Sequence, residues 1–349
     1  MRTHGGNVWQ GSAPEEWLDF SANLRPGGPP EWVRRALRGA IARTAYYPDP
    51  TMRAARAALG AYLGLGADWA LPTAGGISAI GLAARLPAED MLTFTPCFGE
   101  YARAAEQQGL SVESVPLLDG GRLLRPSEAL ADRNVSGRAV WLCTPLNPIG
   151  IAFPKPEIEA LLERVEADGG WLILDEAFIH CCPEYSSVDL LAEHPRLLIA
   201  GSLTKSLGIP GVRLGYLCAR PDILRTLADC QNTWELSCFA EAVLCALPEH
   251  AQELRRAAGE NARRRESLRG ALERLGMRIY PSQANFLLAD LGRSAAPIAA
   301  RLKEKGILVR ECMDFAKIND GQHLRLAVKE ESANARLLAE LETILEIDQ

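Results

Sequence analysis

Lys205 is the residue from which the chemistry of this chain is most readily inferred. It lies in the stretch Ser202-Leu203-Thr204-Lys205, directly after the apolar run 197–200, and Arg213 follows eight residues later. A primary amine can form a Schiff base with an aldehyde, while hydroxyl groups and a guanidinium can bind a phosphate. The pattern therefore predicts a site for a phosphorylated aldehyde cofactor, although a lone lysine after a strand is more often a solvated surface residue.

Two further polar residues follow apolar runs in the same way. Asp175 ends the run 171–175, and Asn147 comes shortly after the run 139–143. Pyridoxal phosphate (PLP) needs an anion against its ring nitrogen, so that the protonated ring can accept electrons. A lone aspartate at a strand end is commonly a cap or loop residue. Three anchors at three strand ends instead indicate one PLP site.

These motifs resemble the fold-type I PLP-dependent aminotransferase superfamily (class I/II). Its members carry Asn-Pro-x-Gly, then Asp-Glu-Ala, then Ser-x-x-Lys with a downstream arginine. The resemblance implies an enzyme whose PLP forms an internal aldimine with Lys205 and whose ring nitrogen faces Asp175. It also implies that the cofactor contacts Asn147, Ser202 and Arg213.

A glycine turn before a helix is the expected phosphate site. Gly75-Gly76-Ile77 precedes a helical run, and such a turn presents free N–H groups and the positive end of the helix dipole. The superfamily usually has an acidic or amide residue in this turn, which residues 73–78 lack. Phe98, after the next strand, is placed to stack on the cofactor ring, or else is an ordinary core aromatic.

The elements that must position these residues alternate between apolar runs and helix-period segments. Alternation of this kind predicts an α/β fold with a mostly parallel sheet flanked by helices, and ligands in such sheets bind beyond the carboxyl ends of the strands. The expected strands are 91–95, 111–116, 139–143, 171–175, 196–201 and 215–219.

The resemblance and the change of pattern after residue 240 imply a second, smaller domain. A long helix over 248–275, three short strands near 285–289, 307–310 and 324–328, and a last helix over 331–345 predict an α+β unit. The expected domains are an N-terminal arm that packs on the small domain, a large PLP-binding domain and the small domain. Their expected bounds are 1–35, 36–235 and 236–349.

Composition argues against several classes of partner. The net charge is −6, and no run approaches the roughly 18 apolar residues of a membrane helix. We therefore expect no nucleic-acid or membrane partner, no signal peptide, and a cytoplasmic location. Nine cysteines without a Cys-x-x-Cys pair predict buried free thiols. Cys181-Cys182 beside His180 could suggest metal or redox chemistry, but no second ligand cluster is visible, and we expect no metal.

The N-terminal motifs narrow the resemblance. His4-Gly5-Gly6-Asn7 and residues 19–23 (Asp-Phe-Ser-Ala-Asn) are more typical of L-threonine-O-3-phosphate decarboxylases of cobalamin biosynthesis than of histidinol-phosphate aminotransferases. Either branch implies a phosphorylated amino substrate. His4, Ser21 and Asn23 are the expected arm contacts to that substrate, although His4 could equally be part of a solvated terminus.

The resemblance also implies roles for two residues outside these motifs. Arg325 would hold the substrate carboxylate bidentately, although an arginine in an alternating strand can simply face the surface. Tyr47 would reach the phosphate of the neighbouring subunit's cofactor, which implies a homodimer with shared active sites.

Four departures from the superfamily pattern leave the reaction open. Leu146 and Ile149 stand where polar residues are usual, Lys329 replaces an arginine, and residues 234–237 read Trp-Glu-Leu-Ser. We interpret all four as lying on the substrate side. The expected activity is a PLP-dependent decarboxylase, with an aminotransferase as the alternative. A PLP-binding regulatory domain without turnover is a third possibility, which we do not expect because we see no DNA-binding extension.

Overall fold

The computed structural model describes residues 4–10, 13–119 and 122–347. The α-helices are α1 (Glu31–Ala40), α2 (Arg53–Leu63), α3 (Gly76–Ala83), α4 (Glu100–Gln107), α5 (Pro126–Leu130), α6 (Lys155–Ala167), α7 (Leu203–Ser206), α8 (Pro221–Ala228), α9 (Cys238–Ala246), α10 (Ala251–Arg274), α11 (Ala295–Glu304) and α12 (Glu331–Ile347). Short 3₁₀ helices span Pro14–Glu16, Ile41–Ala45, Ala67–Trp69, Ile179–Cys181, Pro183–Tyr185, Val188–Ala192 and Leu247–His250.

The strands are β1 (Leu18–Asp19), β2 (Ala70–Thr73), β3 (Met91–Thr95), β4 (Val112–Pro116), β5 (Leu118–Asp119), β6 (Arg122–Leu123), β7 (Ala139–Cys143), β8 (Trp171–Asp175), β9 (Leu197–Ser202), β10 (Gly215–Cys218), β11 (Arg278–Ile279), β12 (Phe286–Asp290), β13 (Ile307–Leu308), β14 (Arg310–Glu311) and β15 (His323–Ala327). The expected strands of the large domain match these within one residue at each end. β2 was not among the expected strands, because its Ala-Leu-Pro-Thr sequence is short and contains a proline.

A seven-stranded sheet in the order β2-β10-β9-β8-β7-β3-β4 forms the centre of the molecule. All its neighbouring strands are parallel except β10, which runs antiparallel to both β2 and β9. Strands β7, β8 and β9 are buried along their whole length, as expected for apolar runs covered by helices on both faces. The predicted α/β fold with a mostly parallel sheet is confirmed.

The register of this sheet brings three strand ends together. Cys143 at the end of β7 pairs with Asp175 at the end of β8, and Asp175 pairs with Ala200 in β9. Because β10 is antiparallel, its first residue, Gly215, lies at the same edge, between Ser202 and Thr73. Residues that follow these strands therefore face one crevice.

A second core lies beneath the four-stranded sheet β11-β12-β15-β14. The N-terminal segment joins it, since β1 pairs in parallel with β13 and Phe20 is completely buried in this core. The larger core extends beyond residue 235, however, because Leu236, α9 and Leu254 all pack within it. The larger core thus has members on both sides of the expected boundary at 235/236, and that boundary stays a prediction. The physical reason is that α9 packs against α1 and α2.

Candidate active site

Lys205 lies in α7, one turn beyond the end of β9. Its Nζ is 5.9 Å from the centre of the Phe178 ring. Burial lowers the pKa of the Lys205 ammonium, and the nearby guanidiniums of Arg213 and Arg325 act in the same direction, against the attraction of Asp175. A lysine with a lowered pKa more readily presents the neutral amine, which is the form that reacts with an aldehyde.

Asp175 is held rigidly at the end of β8. Its Oδ2 accepts a hydrogen bond from the Tyr101 hydroxyl at 2.5 Å, and its Oδ1 accepts one from the Ala177 N–H at 2.8 Å. Burial raises the pKa of the Asp175 carboxyl, while those two hydrogen bonds and Lys205 partly oppose the rise. A buried carboxylate in this environment is stabilised by a nearby cation.

Tyr101 is a site residue that the sequence reading did not assign. It lies three residues after Phe98, at the start of α4, and its ring meets the Phe98 ring edge-on at 5.9 Å between centroids. Phe98 precedes α4 and Tyr101 is its second residue, so no helical spacing in the sequence signalled that the two rings meet.

The glycine turn forms a cradle bounded by an arginine and a hydroxyl. Gly75 has φ +89°, and a Cβ there would lie 2.6 Å from Nη2 of Arg213. At Gly76 a Cβ would lie 3.3 Å from the Cβ of Ser202. The Ser202 hydroxyl is 2.7 Å from that of Thr204. The turn, the serine and the arginine therefore border one small space, and only glycine leaves it open.

The start of α3 lies in the same region, since a Cβ on its first residue, Gly76, would contact Ser202. α3 begins at Gly76, and Ile77 is its second residue. The N-cap residue is Gly75, which has no side chain to accept a hydrogen bond from the N–H groups of the first turn. Free N–H groups at a helix start bind anions. Donors, a hydroxyl and a guanidinium arranged in this way suit a phosphate.

Arg325, in β15, is buried beside Asn147. Its Nη1 donates to Asn147 Oδ1 at 2.6 Å, and its Nη2 donates to the Ser21 carbonyl at 2.8 Å. Its Nε is buried and has no hydrogen-bond partner among the described residues. Burial lowers the pKa of Arg325 to about 10. A buried guanidinium whose direct partners are neutral has unused capacity to bind an anion.

The N-terminal segment closes over this arginine. The Ser21 hydroxyl accepts a hydrogen bond from the Gly6 N–H at 2.8 Å. His4 is tilted against Phe98 at 5.8 Å between ring centres, and its Nε2 lies 3.3 Å from Oε1 of Glu100. The structure thus brings His4 and Ser21 to the site that contains Phe98 and Arg325.

Asn23 lies deeper in the same segment. Its carbonyl accepts a hydrogen bond from Nδ2 of Asn285 at 3.0 Å, and its side-chain Oδ1 is buried without a partner in the described part of the chain. The residue lies two positions from Ser21, whose carbonyl contacts Arg325. Its buried Oδ1 is therefore an acceptor that a polar ligand could use.

Tyr47 lies at the surface of its own chain. Its side chain is 79% exposed and stacks on Trp234 at 4.4 Å between ring centres. Ile41 and Tyr46 are also largely exposed in this stretch, so the surface around Tyr47 is unusually apolar.

Four departures from the superfamily pattern were expected on the substrate side, and three of them lie elsewhere. The side chains of Leu146 and Ile149 are completely buried in the main core, so they do not line the substrate side. Glu235, in the 234–237 stretch, contacts the glycine turn. Lys329 remains beside the N-terminal segment, with its Nζ 3.5 Å from the Ala22 carbonyl.

The neighbouring thiols Cys181 and Cys182 are not activated. Burial raises the pKa of Cys181 to about 12 and raises that of Cys182 as well. Among the described residues, no group of three or more histidine, cysteine or acidic side chains could hold a metal ion. In the same residues, no helix is long and apolar enough to cross a membrane.

Comparison with known proteins shows how far this architecture is shared. The model of the aminotransferase class I and II family matches residues 15–341. The chain is 32% identical to the threonine-phosphate decarboxylase of Salmonella typhimurium, over 98% of this chain and 96% of that protein. It is also 32% identical to the histidinol-phosphate aminotransferase of Symbiobacterium thermophilum, over 94% and 90% of the two chains. The crystal structure of the histidinol-phosphate aminotransferase from Clostridium acetobutylicum superposes with a TM-score of 0.87 at 26% identity, over 94% of this chain and 99% of that one.

Proposed function

Because the chain belongs to the aminotransferase class I and II family, whose cofactor is pyridoxal 5′-phosphate, we propose that it is a PLP-dependent decarboxylase of L-threonine O-3-phosphate. This activity would serve cobalamin biosynthesis. The alternative is amino transfer of the histidinol-phosphate type, because the chain is equally identical, at 32%, to a threonine-phosphate decarboxylase and to a histidinol-phosphate aminotransferase. Free cysteines, five of them buried, are compatible with the proposed cytoplasmic location.

The residues present fit the cofactor. The cradle between Gly75 and Arg213 would be filled by a Cβ and is open only because glycine lacks one. Ser202, Arg213 and the first N–H groups of α3 would hold the phosphate, while Asp175 would face the ring nitrogen and Phe98 would stack on the ring. Asn147, already bonded to Arg325, would contact both the cofactor and the residue that binds substrate.

The chemistry of the reaction divides between the cofactor and a few side chains. When bound, PLP accepts the electron pair of a bond at the substrate α-carbon, and that bond can be the one to the carboxylate or the one to hydrogen. Arg325 would bind the substrate carboxylate through its planar fork. Asp175 would keep a proton on the ring nitrogen, and Lys205 Nζ would return a proton to the α-carbon.

The proposal of decarboxylation rests chiefly on the position of the His4-Gly5-Gly6 segment. This motif is the one that favours the decarboxylase branch, and His4 lies against Phe98 at the rim of the site. Gly5 is required there, since a Cβ would lie 2.1 Å from the Ser21 carbonyl oxygen. The His4 imidazole has a ring nitrogen that could donate a hydrogen bond to the distal phosphate of the substrate.

We also propose a homodimer with shared active sites. Tyr47 faces outward in its own chain and lies in an exposed apolar surface with Ile41, Tyr46 and Trp234. A second copy of the chain would cover this surface and bring Tyr47 to the partner's cofactor phosphate.

The test is a direct comparison of two reactions. Carboxyl-labelled L-threonine O-3-phosphate is incubated with the PLP-loaded enzyme, and labelled CO₂ is measured without any keto acid. In parallel, L-histidinol phosphate is incubated with 2-oxoglutarate, and glutamate is measured. The proposal requires CO₂ release that Lys205→Ala abolishes. Glutamate formation without CO₂ release would establish the aminotransferase instead, and neither product would contradict both.

A further inference from the structure

The glycine turn is contacted by an acidic side chain from a distant part of the chain. Oε1 of Glu235 accepts a hydrogen bond from the Ala74 N–H at 3.0 Å and another from the Ser78 hydroxyl. Gln231 adds a third contact, because its Nε2 donates to the Pro72 carbonyl at 2.8 Å. Residues 231–235 therefore bind both sides of the turn that precedes α3.

The backbone around Glu235 directs its side chain to the turn. Trp234 has φ +57°, in the left-handed region that non-glycine residues adopt rarely. On the other side, Leu236 is buried in the main core and Ser237 caps α9 by accepting from the Ala240 N–H at 3.2 Å. Strain of this kind persists only where neighbouring contacts hold it. The carboxylate is thus fixed from both directions.

Two departures from the superfamily pattern meet at this contact. The turn, residues 73–78, has no acidic or amide side chain of its own, and the 234–237 stretch contains Glu235. Ser78 and Glu235 lie 157 residues apart and are hydrogen-bonded. We propose that Glu235 is a positioning residue. From the segment that precedes α9, it supplies the carboxylate that the turn lacks and fixes the turn in the conformation that binds the cofactor phosphate.

The charge of Glu235 bears on this role in two opposite ways. A carboxylate near the start of a helix stabilises the helix dipole and fixes the loop. The same charge would repel a phosphate that carries nearly two negative charges. The partners of Glu235 decide between the two effects. Ala74 and Ser78 flank the turn, so the N–H groups of Gly76 and Ile77 stay available for the phosphate.

The experiment measures the binding of two ligands to cofactor-free full-length protein. PLP carries the phosphate, whereas pyridoxal binds the same lysine without it. Glu235→Ala should weaken PLP binding about tenfold, the loss expected when hydrogen bonds that hold a site are removed. Pyridoxal binding should be unchanged. Ser78→Ala should weaken PLP binding less, and the double variant should lose no more than Glu235→Ala alone, because both substitutions remove the same contact.

Two further variants serve as controls. Glu235→Gln keeps an acceptor oxygen and should retain most of the PLP affinity. Glu241→Ala, in α9, removes an equal charge away from the turn and should leave PLP affinity unchanged. Tighter or unchanged PLP binding by Glu235→Ala would overturn the proposal. Equal losses for PLP and pyridoxal would overturn it too, since they would indicate a general structural defect. Neither result depends on whether the enzyme decarboxylates or transfers an amino group.

Discussion

The proposed site has a cofactor side and a substrate side, which are built in different ways. On the cofactor side, Asp175 and Ser202 end neighbouring strands of one sheet, and Lys205 follows one turn later. On the substrate side, Arg325 comes from the small sheet and is hydrogen-bonded to Ser21 from the N-terminal segment and to Asn147 from a loop after β7. The cofactor side is thus attached to a single rigid core, whereas the substrate side exists only where three segments meet.

This difference suggests where variation between relatives can accumulate. Moving one residue on the cofactor side would require a change in sheet register, which would shift every neighbouring side chain. On the substrate side, the N-terminal segment can change its sequence while β1 keeps its pairing with β13. A common cofactor site with different substrates is the expected result, and relatives with two different reactions at 32% identity agree with it.

The largest effect should come from the cofactor side. Lys205→Ala removes the amine proposed to bind the cofactor and to move the proton, so turnover should fall on the order of 10⁴-fold. Borohydride reduction should trap the cofactor on Lys205 in the native protein and trap none in the variant. Lys155→Ala, which removes a lysine paired with Asp189 elsewhere, should trap normally. Trapping at another lysine would contradict the assignment.

Asp175→Asn should separate cofactor binding from cofactor chemistry. The amide cannot hold the ring nitrogen protonated, so turnover should fall about 10²- to 10³-fold, as when a single charge-stabilising group is removed. The phosphate contacts remain, so the visible absorbance of bound PLP should persist. A variant with normal turnover would show that this carboxylate has another role.

Arg325→Lys should affect the substrate side alone. Lysine keeps the charge but lacks the planar fork, and the loss of charge-assisted hydrogen bonds should lower kcat/KM about a hundredfold. The affinity for PLP should stay near that of the native protein, which can be measured by titration of the cofactor-free form. A parallel loss of PLP affinity would mean that the two sides are not independent.

Tyr47→Phe should give the smallest effect and tests whether the cofactor side is complete within one chain. Loss of one hydrogen bond to a charged phosphate should weaken PLP binding roughly tenfold to a hundredfold. Mixing Tyr47→Phe chains with Lys205→Ala chains at limiting PLP creates dimers in which one site carries both defects and the other carries neither. Activity above that of either parent is expected. With subunit exchange verified, no recovery would mean that Tyr47 does not act across the interface.

The sequence by itself determined the fold, the cofactor and the residues proposed to hold it. Apolar runs of five or so residues mark buried parallel strands, and a polar residue directly after such a run must lie at the carboxyl edge of the sheet. Asp175, Ser202 and Lys205 could be assigned in this way because the distance between each residue and its strand is short along the chain.

Only the tertiary structure decided which distant residues meet. Leu146 and Ile149 look like substrate contacts in the motif but are buried in the core, while Glu235 looks like a substrate-side change but hydrogen-bonds to the glycine turn. The local sequence does not encode which part of the molecule each of these side chains contacts. It depends on the path of residues 231–237, held by Gln231, the left-handed Trp234 and the start of α9, and on packing between segments more than 150 residues apart.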